Sequence, residues 1–144
     1  MQQITQLSLF VENRPGALSE VCNVLKQSSI NIHALSLADT QQFGILRLLV
    51  SDADAGKEAL ESAGFVVKRN KVLAISVPDC AGGLAGVLEK IDNYKLSVEY
   101  MYAFTFGRAE RAVIVFRFGD QEDAADKLAA EKLDFVTQEM LANA

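Results

Sequence analysis

The residues best placed for chemistry in this sequence sit in two short loops. Glu12-Asn13-Arg14-Pro15-Gly16-Ala17-Leu18 follows an alternating apolar stretch and leads into an amphipathic one. Pro15 suits the first turn of a helix, where its missing N–H costs nothing, and Gly16 permits close backbone approach. A helix start exposes unpaired N–H groups and the positive end of the helix dipole, so Pro15 to Leu18 is fit to receive a carboxylate. Asn13 offers both a donor and an acceptor, the pair that an α-amino acid can use, with a simple helix cap as the alternative reading. The second loop, Asp79-Cys80-Ala81-Gly82-Gly83-Leu84, is placed alike but puts a carboxylate where the first has an amide. Asp79 would repel a ligand carboxylate and pair with an ammonium group.

The remaining chemistry is sparse. Cys80 stands at a helix start, where a thiol can take a redox or nucleophilic role, but no second Cys or His lies near it in sequence. Cys22 falls on an expected core stripe and reads as inert. Two cysteines and one histidine, His33, make neither a disulfide framework nor a metal cage. No acid/base pair, triad or Gly-rich phosphate loop is present, so the chain reads as non-catalytic and without cofactors. Fourteen Lys+Arg against nineteen Asp+Glu, with no basic run, argue against a nucleic-acid partner. The absence of a long apolar run and of a basic, apolar amino terminus argues against a membrane and for the cytoplasm.

Two repeated units must position the loops. At an offset of 66, Val11 to Leu18 overlies Val77 to Leu84, and Leu18, Val21, Cys22 and Leu25 overlie Leu84, Val87, Leu88 and Ile91, the apolar stripe of an amphipathic helix. Two extra residues then raise the offset to 68, so Leu46, Leu48 and Val50 meet Ile114, Phe116 and Phe118. Such an insertion belongs in a hairpin. The division falls near Asn70 to Val72, giving units 1–71 and 72–144. In the first, strand (Leu7, Leu9 and Val11 facing a core), helix, hairpin (to Ser51), helix capped by Asp52 and closed at Gly64, and a last strand follow in order. The second repeats this, with a helix opening at Asp120 and a final strand at 134–138. The predicted fold class is α+β: two tandem ferredoxin-like βαββαβ units, each an antiparallel sheet with two helices on one face.

The first unit carries seven basic and seven acidic residues and the second seven and twelve, so one loop should hold an anion better than the other. On the sheet faces away from the helices, Phe10, Ile45, Leu49, Val113 and Val115 predict an apolar surface that needs cover. The row Tyr100, Tyr102, Phe104, Phe106 predicts a ring-lined face buried against another sheet or subunit, or a ligand wall. A homo-oligomer, most simply a dimer, follows.

The motif Glu12-Asn13-Arg14-Pro15-Gly16-Ala17-Leu18, followed by Ile30-Asn31-Ile32, resembles the ACT domain family, and the likeness spans the whole chain as a tandem pair. The resemblance implies a small regulatory domain that senses amino acids, its ligand lying where the first loop of one domain meets the second strand of a neighbour. Carried over by position, it implies Asn13, Arg14, Pro15, Gly16, Ala17 and Leu18 from the loop and Asn31, Ile32 and His33 from the strand. His33 reads equally as a surface strand residue. A weaker second site is implied at Asp79, Cys80, Gly82, Gly83, Leu84 and Ser97, where Arg14-Pro15 has become Cys80-Ala81 and Asn31 has become Ser97. The expected function is a non-catalytic regulatory protein binding an amino acid at these seams. The alternative is an interaction module that regulates or scaffolds a metabolic enzyme or transporter without a ligand; a thiol enzyme built on Cys80 is a third.

Overall fold

The computed structural model describes residues 2–39, 42–105 and 110–143. The elements are β1 (Gln3–Glu12), α1 (Ala17–Gln27), β2 (Ile32–Asp39), β3 (Phe43–Val50), α2 (Ala53–Ser62), β4 (Val67–Pro78), α3 (Gly83–Asn93), β5 (Val98–Phe104), β6 (Arg111–Phe118), α4 (Gln121–Ala129), β7 (Asp134–Phe135) and α5 (Gln138–Ala142). This is the α+β, antiparallel ferredoxin-like arrangement twice over. Among these residues no helix is long and apolar enough to cross a membrane.

One compact unit groups Thr5–Asn70 with residues 141–143; the other groups Lys71–Met140 with residues 2–4. The first unit holds strands in the order β2-β3-β1-β4, the second β7-β4-β6-β5, with β4 divided between them at Asn70. The final strand of one repeat and the first strand of the next, expected as separate pieces, are thus one twelve-residue strand. Each unit has its own core. Leu7, Leu9 and Val11 of β1 and Leu46, Leu48 and Val50 of β3 pack with Val21 and Leu25 of α1 and Leu60 of α2. Leu73, Ile75 and Val77 pack with Ile114, Phe116, Phe118, Ile91 and Leu128 in the second.

The backbone repeats as the two offsets predict. Gly16 and Gly82 both precede their helices in the left-handed region, φ 86 and 88. The Asn13 and Asp79 amides donate to the carbonyls of Gln42 and Glu110, and those of Ser51 and Gly119 to Asn31 and Ser97. Asp52 and Asp120 cap α2 and α4 through Oδ1, accepting from Ala55 and Asp123. Gly64 takes its left-handed closing position.

Several expectations change. The stripe of α1 that faces the core is Ala17, Val21 and Leu25, with Val24 at its edge, so Leu18 is 41% exposed and Cys22 is exposed. The small Ala17, not Leu18, faces inward, which turns the stripe by one residue. Phe10 is exposed as expected, but Leu49, Val113 and Val115 are buried within the chain itself. Tyr100, Tyr102 and Phe104 are half-buried, the last two side by side with Val115 and Val113 on one face of the sheet; Phe106 lies outside the described residues. A helix that the sequence reading did not predict, α5, delivers the fully buried Leu141 to the first unit, where His33 Nε2 donates to its carbonyl at 2.9 Å.

Leu141→Ala should lower stability by about 2 kcal/mol or more. Hydrogen exchange should place the loss in the Thr5–Asn70 unit; unchanged protection there would contradict this role for α5.

Candidate functional site

The first loop is built by its neighbours. β1 ends at Glu12, the Asn13 amide ties the turn to Gln42 at 3.1 Å, and the Arg14 carbonyl accepts from Ala17 at 3.3 Å. The chain then passes through Gly16 at φ 86, and α1 begins with no side-chain cap. The first intrahelical bond runs from Glu20 N–H to the Gly16 carbonyl at 3.0 Å, which leaves the Leu18 and Ser19 amides without a capping side chain. Asn13 is therefore not the helix cap.

Arg14 bridges two acids. Its Nε donates to Glu12 at 3.1 Å and its terminal nitrogen donates to Glu20 at 3.0 Å. Hydrogen bonds to Glu20 and then Glu12 raise its pKa further above its already high ordinary value. At 45% exposure such pairs add little stability, but they hold the guanidinium beside the helix start. Arg14 thus arrives already neutralised.

Beside this loop is a cleft of about 290 Å³. Val11 and Glu12 from β1, Asn13 and Arg14 from the turn, Ala17 and Leu18 from α1, Leu37 from β2 and Gly44 from β3 line it. Four of the expected residues, Asn13, Arg14, Ala17 and Leu18, meet there; Pro15 and Gly16 shape the turn instead. Val11, Glu12, Leu37 and Gly44 were not foreseen. A glycine inside an apolar strand, at the register position opposite Val11, was the available signal of a close approach.

Asn31, Ile32 and His33 are not brought to this cleft. Asn31 is held at the other end of β3, its amide donating to Ser51 Oγ at 3.0 Å, and Ile32 pairs with Val50. The eight residues of β3 separate that end from the loop by roughly 25 Å at ~3.3 Å per residue. Within this unit the two halves of the expected set stand apart.

The second loop repeats the turn with a tighter helix start. A Cβ on Gly83 would overlap the Pro78 carbonyl oxygen, so α3 starts with its backbone against β4. The equivalent position in the first unit is Ala17, whose methyl group needs room that Gly83 does not. Cys80, Ala81, Gly82 and Gly83 instead edge a shallow surface along α3 with Val87 and Lys90. Asp79 and Leu84 are not part of it, and Ser97 lies at the far end of β6, accepting from Gly119 at 3.0 Å.

Residues 2–144 match the profile of the ACT domain pair. The chain belongs to that family. As an ACT domain pair it is homologous to amino-acid-sensing regulatory domains, which are not catalytic. It is similar to a protein of known crystal structure from Bacteroides thetaiotaomicron, with 36% identity over 99% of this chain and 98% of that one, and a TM-score of 0.90. The ligand-free regulatory subunit of aspartate kinase from Thermus thermophilus shares the fold at 15% identity, with 90% and 92% of the two chains covered and a TM-score of 0.60. The corresponding subunit from Thermus flavus gives 15%, 87% and 90%, and 0.58. No curated protein shows significant similarity to the sequence.

In this ACT domain pair, Gly83→Ala should cost about 1–3 kcal/mol by chemical denaturation, because backbone has to move to admit the methyl group. A neutral effect would refute the tight start of α3.

Proposed function

We propose that this ACT domain pair is a non-catalytic amino-acid sensor whose ligand is held in the cleft of its first unit. The observation that carries this reading is the cleft beside an uncapped helix start. A ligand carboxylate fits the free amides of Leu18 and Ser19 and the positive end of the helix dipole. Its ammonium group fits Glu12 and the Asn13 side-chain oxygen, both at the cleft wall. The second unit, with Gly83 closed against Pro78 and Asp79 in place of Asn13, binds more weakly or not at all.

Asn31, Ile32 and His33 join this site only if a second copy of the chain brings its own β2 to the loop. The proposal therefore includes a dimer, acting in the cytoplasm on a metabolic enzyme, with the ligand favouring whichever arrangement closes around it. A second reading, an interaction module without a ligand, is favoured by exposed apolar side chains on and beside the edge strand β2: Leu35 at 56%, Leu37 at 47% and Phe43 at 45%.

Titrating the twenty amino acids by calorimetry should show binding by at least one of them, and Asn13→Ala should weaken it by about tenfold, the worth of one hydrogen bond. No heat or thermal shift with any amino acid would leave only the interaction module, for which Asn13→Ala leaves partner affinity unchanged. Light scattering at working concentration should report a dimer; a strict monomer would remove Asn31, Ile32 and His33 from the site.

A further inference from the structure

The walls of the cleft divide by chemistry. Among the described residues, the polar side chains of the lining, Glu12, Asn13 and Arg14, come from the end of β1 and the turn, and the described wall beyond them is hydrocarbon or bare backbone. Leu18 and Leu37 stand 41% and 47% exposed there, and their described neighbours in that part of the lining are Val11, Ala17 and Gly44. Gly44 forms the floor. Its strand register sets it opposite Val11 on one side and Asp39 on the other, which makes Leu37 a diagonal neighbour. A Cβ built on Gly44 would lie 2.7 Å from Leu37 Cδ1, so the isobutyl end of Leu37 occupies the space that any larger residue at 44 would take.

We propose that the cleft selects amino acids with short branched aliphatic side chains, and that Leu37, lying over Gly44, is the residue that sets this selectivity. This rests on the reading of the cleft as an amino-acid site. A ligand whose charged head stays at the turn has to lay its side chain against Leu18, Leu37 and Gly44. A hydrocarbon there covers exposed apolar surface and is favoured; an amide, carboxylate or ammonium group laid against those three residues loses water and gains no side-chain hydrogen bond from them. The size points the same way. At about 290 Å³ the cleft lies at the bottom of the ~300–1,000 Å³ range of small-molecule sites, which suits a small metabolite better than one carrying a large ring system.

The test is calorimetry on the full chain with leucine, isoleucine, valine, alanine, asparagine, aspartate, lysine and phenylalanine, repeated with Leu37→Gln. Leucine, isoleucine or valine should bind at least about tenfold more tightly than alanine or asparagine, since one methylene in an apolar pocket is worth about tenfold or more. Leu37→Gln should erase most of that preference, lowering leucine, isoleucine and valine affinity by a larger factor than alanine affinity. The thermal midpoint of the unliganded variant should stay within a degree or two of the parent, as an exposed side chain implies. Preferred binding of a charged, amide or aromatic amino acid overturns this inference and leaves the sensor reading standing. Equal loss of alanine and leucine affinity in Leu37→Gln overturns the selectivity role of Leu37. Silence from the whole panel overturns this inference, and the sensor reading falls with it only when the remaining twelve amino acids are silent too.

Discussion

A helix that begins on a glycine in the left-handed region brings its first amides to the surface with nothing to satisfy them but water or a ligand. That constraint organises the first unit. Gly16 at φ 86 has no side chain to fold back as a cap, and Arg14, the nearest long polar residue, is drawn away to Glu12 and Glu20. The Ala17 methyl group, buried at 3% exposure, occupies a position that is bare in the second unit. The cleft exists because these three conditions coincide at the mouth of a β1–β3 pair that has a glycine at its end.

The second unit shows what happens when one condition changes. Gly82 repeats the left-handed entry almost to the degree, and Gly83 repeats the turn hydrogen bond to Cys80. Removing one methyl group lets the helix close onto the Pro78 carbonyl. Two units with matching backbones thus differ in how closely the helix start approaches the preceding strand, and a single methyl group marks the difference.

Much of the fold was legible because it rests on periodicity. Leu7, Leu9 and Val11 alternate into a core, the Asp52 and Asp120 caps precede their helices, and the shift from offset 66 to 68 is matched by paired backbone contacts on either side of each hairpin. Less legible were features decided by a neighbour in space. Cys22 satisfies the spacing of a helix stripe yet is exposed, because Ala17 took the inward position. The five residues of α5 are too few to show a period, and the fate of Leu49 depends on contacts that periodicity does not encode. For the site, the turn residues were visible as a motif, whereas Leu37 and Gly44 are visible only once the register of β2, β3 and β1 is known.

The bare floor of the cleft also bears on how such a protein could diverge. Position 44 lies in ordinary extended backbone, and the atom nearest to any side chain placed there is the swinging tip of Leu37 rather than a main-chain group. Enlarging residue 44 would re-contour the cavity and leave the scaffold intact. A descendant lineage could in this way trade one effector for another by a single codon change, without renegotiating the fold.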